Sequence, residues 1–474
     1  MRTLDFSLNG RVTAHSVVRS KIIHALTAGS VTENSATNAW NLNFSNGTLN
    51  NNNKNNTNVV RAVCALGEKE IDGWVDAYFD CISNKRTAPQ CDRYRTNYEE
   101  DLWRLMNEVY NRTYQPSKSL CFVVTRPRLR EIFAASFRDR IVQHWIVRRI
   151  DPLFEERFRA QGDVSFNCRK GYGSMKAVER LAAHFEEVSQ GYSREAWVGK
   201  FDIKSFFMSI DKNVLFDLLI PFVKERYKGD DIDTLLWLID ITLRHCPQKL
   251  CERRSRPVMW ERLAKSKSLF NAPDHVGLAI GNITSQIIAN FYLSFFDEWM
   301  NAQCAENGAR YIRFVDDWAV VAQDKGFIIR LYKSAGEWLK TNLHLQLHTD
   351  KFYLQPVTHG VKFVGQVIKP RRRYTSNRTV SGFHRRTHQA NLLCGEILMR
   401  GLNFDRAARL EHLIDAINSY GGFLTHTASY RIRERVFNSL TDFWRCCYIR
   451  GHYNVVCLRK EFKFTNHLTQ LFTR

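Results

Sequence analysis

The 474-residue sequence predicts an α+β fold, and three observations carry that prediction. Short apolar strands and amphipathic helices alternate without the even spacing of βαβ units, which favours antiparallel sheet. Two strand-like segments hold acidic residues inside apolar runs, Asp202 in KFDIKSFF and Asp316-Asp317 in RFVDDWAVV. The last hundred residues have helical periodicity and carry about half of the formal net charge of +21.

Size and composition bound the rest. At ~150 residues per domain the length allows about three domains. Lys and Arg outnumber Asp and Glu 69 to 48 in a chain that is 44% hydrophobic. That balance implies a folded protein with a polyanionic partner, although a basic globule without one stays open on composition alone. No apolar run approaches the ~20 residues of a membrane span, and the start MRTLDFSLNGRV has no apolar signal region, so a soluble cytoplasmic protein with no membrane contact is expected. The 12 cysteines include no CxxC pair and no histidine doublet at zinc spacing, and read as reduced core thiols.

In chain order, residues 1–66 stand apart, because residues 41–58 hold ten asparagines and too few apolar groups to form a core. From residue 67 to about 113 two amphipathic helices are expected, IDGWVDAYFDCI and YEEDLWRLMNEVY. The stretch 119–135 begins as a strand, breaks at Pro127 and leads into a basic helix that should end before Pro152. A strand at 197–203, a helix at 212–226, an amphipathic helix at 284–300 and a hairpin at 310–322 centred on Val315-Asp316-Asp317 follow. Residues 371–474 read as a basic helical bundle suited to gripping phosphates, with a solvated basic surface as the alternative.

An ionised carboxylate in an apolar strand is costly unless a cation neutralises it. Asp202, Asp316 and Asp317 therefore ask for metal ions, and three hard oxygen donors suit two Mg²⁺ ions ~3.5–4 Å apart. An ordinary Asp-Asp turn is the competing reading of the pair. Phe207, five residues after Asp202, is placed to face a nucleotide pocket, or else lies in the core.

Six segments in order, FVVTRPRLREIFAASFRDRIVQH (122–144), SFNCRKGYGSMKAVERL (165–181), GKFDIKSFFMSIDK (199–212), GLAIGNITSQIIANFYL (277–293), RYIRFVDDWAVV (310–321) and GVKFVGQVIKP (360–370), resemble the successive motifs of reverse transcriptases. Ile280-Gly281-Asn282 through Gln286 resembles the IGNxTSQ signature of the reverse transcriptases of diversity-generating retroelements, within the group II intron-like superfamily. The resemblance spans roughly 68–370. It departs at Phe314, where Tyr is commoner, and at Trp318, where Phe is expected; neither change removes a carboxylate.

The resemblance implies a right-hand polymerase fold: N-terminal helices and fingers over 67–195, an antiparallel-sheet palm over 196–370 with an insert at 226–275, and a helical thumb over 371–474. It implies metal binding by Asp202, Asp316, Asp317 and the backbone of Ile203, with two Mg²⁺ ions or Mn²⁺ in their place. Arg130 and Arg126 would contact the triphosphate, the guanidinium fork suiting phosphate oxygens; a surface arginine is the alternative for Arg130. Phe207, Ile280, Gly281 and Gln286 would complete the nucleotide side, and Arg128, Asn282 and Lys351 the template and primer side. Arg138 and Arg140 fit that path or a salt-bridged scaffold, Thr284 or Ser285 fits a helix cap, and Lys351 could equally be an exposed strand-end lysine. Ile280 stands where other reverse transcriptases have glutamine, and an aliphatic side chain cannot supply that hydrogen bond.

The implied function is RNA-directed DNA synthesis that makes adenine-mutagenised cDNA for protein diversification by mutagenic retrohoming. The implied partners are a template RNA, the RNA/cDNA duplex, deoxynucleotides and a basic pentameric accessory variability protein, in a bacterial or phage-encoded system. Residues 40–66 resemble the variable segment of the ligand-binding proteins such retroelements diversify, since asparagine codons begin with two adenines. A phage-defence or retron-type enzyme, and a non-catalytic RNA-binding protein on a polymerase scaffold, are the competing readings.

Overall fold

The computed structural model describes residues 68–83, 94, 96–125 and 128–463, and the backbone of two strands before them. Those strands, β1 (Asn38–Asn43) and β2 (Thr48–Asn53), pair antiparallel with Leu42 opposite Leu49. Backbone pairing of this kind needs no apolar side chains. The rest of the asparagine-rich segment, and Arg126, lie outside the described residues. The chain divides into two compact units: residues up to 163 with 204–296 and 338–346, and residues 164–203 with 297–337 and 347–474.

In the first unit, helices Glu68–Ile82 and Tyr98–Tyr110 bury one face each, through Ile71, Trp74, Val75 and Tyr78 and through Leu102, Leu105, Met106 and Val109. Trp74 stacks on Trp145 of helix Phe137–Ala160 at 5.0 Å. Residues 119–135 are a hairpin rather than one strand leading to a helix. β3 (Ser119–Val124) pairs antiparallel with β4 (Arg130–Ala134), and β6 (Cys251–Arg253) adds in parallel to β3. The alternating burial of Glu131 and Phe133 is the period-2 signal of a strand.

The helix expected to stop before Pro152 runs through it to Ala160. A proline inside a helix costs ~3 kcal/mol. Phe154 and Phe158 beyond it are buried, Phe154 stacking on Phe291 at 4.3 Å, and burial of two phenylalanines at ~1.5–3 kcal/mol each offsets that cost. The helix expected at 284–300 spans Ile283–Glu306, and every residue from Ile287 to Ser294 is buried. It is a core helix rather than an amphipathic one.

In the second unit a four-stranded sheet runs in the order β7 (Arg310–Phe314), β8 (Asp317–Ala322), β5 (Trp197–Asp202), β9 (Tyr353–Pro356), antiparallel throughout. Val198, Ile312, Ala319 and Val321 on one face pack with Val178, Leu181 and Phe185 of helix Ser174–Val188. On the other, Phe201 stacks on Trp318 at 4.0 Å and on Phe352 at 5.4 Å, with Tyr332 beside them. The sheet class is the predicted α+β.

Beyond it lie a small sheet, β10 (Val361–Phe363), β11 (Gln366–Lys369) and β12 (Arg372–Thr375), and helices Asn377–Arg400, Phe404–Leu424 and Tyr430–Asn438. Their shared core includes Ile397, Leu410, Ile417, Phe437 and Phe443. The C-terminal section is not all helical: it includes a hairpin of β13 (Cys447–Arg450) and β14 (Val455–Leu458), where Val455-Val456 favours strand. The ten described cysteines are free thiols. Among the described residues no helix is long and apolar enough to cross a membrane.

Candidate active site

The strand register sets the carboxylates. Asp202, the last residue of β5, lies directly opposite Asp317, the first of β8, and Phe314 at the end of β7 also faces Asp317. The link between β7 and β8 is therefore the two-residue turn Val315-Asp316. Such a turn needs φ above zero at its first position, ordinarily supplied by glycine. Val315 supplies it at φ 58°, a strain of ~1–3 kcal/mol for a side chain with a branched Cβ.

What holds the turn is a buried network one strand residue away. Arg313 is fully buried and donates from Nη1 to the Val315 carbonyl at 3.1 Å. Its Nε donates to Asp297 Oδ1 at 2.6 Å, and the Tyr311 hydroxyl donates to the same oxygen at 2.8 Å. Asp297 has no exposed surface, and its charge is matched by the guanidinium. Burial and the neighbouring Asp297 carboxylate push the Tyr311 hydroxyl well above its ordinary range. Main-chain bonds from Arg313 N to Val164 O (2.8 Å) and from Phe166 N to Arg313 O (3.1 Å) brace the strand on its outer side.

Two ammonium groups meet the carboxylates. Lys351, in the 3₁₀ turn Thr349–Lys351, reaches Asp202 Oδ2, and Lys200 Nζ lies 3.4 Å from Asp317 Oδ1. Asp202 is only 12% exposed, so this counter-charge offsets a real desolvation cost. Its carbonyl accepts from His348 N at 2.9 Å. Next to it, Ile203 is buried and bridged to Leu347. Among the described residues no group of three or more His, Cys, Asp or Glu side chains is arranged to hold a metal ion. The donors nonetheless suit a hard divalent cation in kind, since Asp202 and Asp317 put two carboxylates directly opposite each other at the same end of the two central strands.

A second group lies within the first unit. The Ile280 carbonyl accepts from Phe133 N of β4 at 2.8 Å, so the turn Ile280-Gly281-Asn282 is docked on the strand that begins with exposed Arg130. Gly281 has φ 122°, and a Cβ there would lie 2.4 Å from the Phe133 carbonyl oxygen. No other residue fits. Ile280 packs partly buried against Phe133, Met208 and Ala279. Phe207, half-buried in the short helix Phe206–Ser209, accepts through its carbonyl from Leu278 N at 2.7 Å, which places it beside the same segment. Gln286 is exposed on the first turn of helix Ile283–Glu306, where Thr284 and Ser285 are buried. Arg128 is exposed in the loop before β4.

The structure thus gathers Asp202, Asp317 and Lys351 with the Asp316 turn in one unit, and Arg130, Phe207, Ile280, Gly281 and Asn282 in the other. Arg138 is ion-paired to Glu108 and lies over the Tyr114 ring, and Arg140 Nε donates to the Ala135 carbonyl at 2.9 Å. Arg138 fits the salt-bridged scaffold, whereas Arg140 is tied to the main chain. Sequence reasoning missed Lys200, Asp297 and Arg313. The signal for Arg313 was its own position, a charge in the apolar strand RYIRF that a buried environment must neutralise.

Residues 125–368 match the profile of the family described as reverse transcriptase (RNA-dependent DNA polymerase). Protein YkfC of Escherichia coli (strain K12) is 23% identical over 314 residues, covering 59% of this chain and 74% of that protein. Solved structures with similarity include apo telomerase from Candida tropicalis (10% identity, TM-score 0.42, covering 69% of this chain and 59% of that one). A form of that telomerase truncated from its C-terminal domain has 12% identity and TM-score 0.39, covering 55% of each chain. Telomerase from Candida albicans with a fragment of telomeric RNA has 11% identity and TM-score 0.37, covering 73% of this chain and 70% of that one. The chain spans little more than half the length of the Candida tropicalis proteins.

Proposed function

The chain belongs to the reverse transcriptase (RNA-dependent DNA polymerase) family, and from that premise we propose that it copies a template RNA into cDNA carrying errors opposite adenine, as the enzyme of a diversity-generating retroelement. The observation that carries the retroelement reading is the Ile280-Gly281-Asn282 turn, locked to β4 by a glycine that has no alternative and headed by an aliphatic residue. A turn so fixed cannot swing another side chain into the place of Ile280. The nucleotide side therefore lacks one hydrogen-bond donor and acceptor, which lowers the penalty for a mismatched pair.

In this reading Asp202, Asp316 and Asp317, with the Ile203 backbone, hold divalent ions, two Mg²⁺ or Mn²⁺ in their place. The chemistry supplied there when they are bound is activation of the primer 3′ hydroxyl and stabilisation of the leaving pyrophosphate. Arg313 fixes the turn that presents Asp316 and Asp317. Lys200 and Lys351 balance charge on Asp317 and Asp202. Arg130 and Arg126 grip the triphosphate, Phe207 packs by the sugar and excludes a 2′ hydroxyl, and Gly281 and Gln286 line the nucleotide. Arg128, Asn282 and Lys351 contact template and primer. Residues 67–195 serve as N-terminal helices and fingers, 196–370 as palm with an insert at 226–275, and 371–474 as thumb, whose basic surface holds the RNA/cDNA duplex. A basic pentameric accessory protein joins the complex.

Substituting Ile280→Gln tests the retroelement part. The expected outcome is severalfold fewer misincorporations opposite adenine at unchanged extension, read by sequencing cDNA; an unchanged error spectrum contradicts it. A faithful wild-type enzyme would favour the defence-type alternative.

A further inference from the structure

Behind the glycine turn lies a cavity of about 20 Å³, within the first unit. It is walled by the end of helix Ile232–Arg244 and the turn after it, by Lys212, and by the start of helix Ile283–Glu306. Three of its lining residues bring buried polar atoms that make no hydrogen bond to another protein group: His245 Nε2, Gln248 Oε1 and Asn282 Oδ1. A buried polar atom without a partner costs ~1–3 kcal/mol, so three around one small space call for a common partner.

Size and chemistry identify that partner. A volume near 20 Å³ holds one water molecule, which needs ~10–15 Å³ and two to four polar neighbours. The two amide oxygens accept, which disfavours an anion, and buried Lys212 among the lining residues disfavours a cation. Burial lowers the His245 pKa, so its ring is neutral with one N–H to give. A water can donate to Asn282 Oδ1 and Gln248 Oε1 and accept from His245 Nε2 in one arrangement.

We propose that this cavity is a water site through which His245 and Gln248 position the Asn282 side chain, making them positioning residues for base selection. The inference rests on the reading of Asn282 as a template contact. It also gives the segment 245–248 a role that its distance in sequence from every catalytic motif conceals.

Two measurements test it. A high-resolution crystal structure of the intact chain is expected to show a water within ~2.7–3.2 Å of all three atoms. Density for no water, or a water touching only one of them, overturns the site whatever the enzyme does. The second is a cycle of His245→Phe, Asn282→Ala and the double substitution, read as the ratio of correct to incorrect incorporation. The expected result is a shift of about threefold or more for His245→Phe that disappears when Asn282→Ala is already present. Additive effects overturn the positioning role. Gln248→Leu is expected to shift the ratio in the same direction as His245→Phe, and an unchanged ratio removes Gln248 from the positioning role. A wild-type chain without polymerase activity, by contrast, would count against the proposed function and leave the water site to be judged by its density.

Discussion

Arg313 spends all its surface inside the protein, where Asp297 and the Val315 carbonyl take up donors of its guanidinium. Arg313→Met removes one charge and strands the other, so a loss of ~3–5 kcal/mol is expected in chemical denaturation. Adding Asp297→Leu should recover most of it, because the penalty lies in the orphaned carboxylate rather than in the missing bond. Even in that stabilised double variant the turn loses its clamp on Val315, so primer extension should stay at least tenfold down; full recovery would remove Arg313 from the account of the site. At this scale the sequence was half legible. Asp202, Asp316 and Asp317 stood out because carboxylates in apolar strands are out of place. The link from Arg313 to Asp297 did not, because sixteen residues and a change from helix to strand separate them, and no periodicity marks such a pair.

At the scale of the element, the glycine turn depends on one missing Cβ. Gly281→Ala drives a methyl group into the Phe133 carbonyl at a φ that alanine disfavours. It should cost more than the ~1–3 kcal/mol of backbone strain and abolish activity by separating the turn from β4, whereas Gly308→Ala, also at positive φ but with open space around it, should pay only that strain and keep activity. Helix Ser174–Val188 carries a pH dependence of its own. Burial lowers His184 to about 4, so below its ordinary 6.5 the unfolded chain binds a proton that the folded chain excludes. Stability is full above 6.5 and falls as pH drops toward 4, by ~2 kcal/mol between pH 7 and about pH 4.5, and His184→Phe should flatten that slope in urea titrations. Apolar period identified the helices at 68–82 and 212–226 in sequence, since each has one buried face. It failed at Pro152, where a local rule met a larger burial term, and at 130–134, where REIFA is too short for its alternation to outweigh the helix that follows.

For the whole molecule, the proposed function makes the +21 charge the term that sets how nucleic acid is held. Each phosphate contact contributes about −0.9 to the slope of log affinity against log salt. Arg385, exposed on helix Asn377–Arg400, is a candidate contact, and Arg385→Ala should reduce the slope by about 1 with no change in error spectrum. A slope that stays the same would take that helix off the duplex path. Fold class and motif order were legible because each strand and helix has its own pattern, while the hairpin at 447–458 was hidden by the helical run before it.

The most direct test of the central claim is extension of a DNA primer on an adenine-containing RNA template with deoxynucleotides and Mg²⁺, comparing wild type with Asp316→Asn/Asp317→Asn and sequencing the products. The account predicts cDNA from wild type alone, with errors concentrated opposite adenine. Product from both proteins, or errors spread evenly over the four template bases, would contradict it.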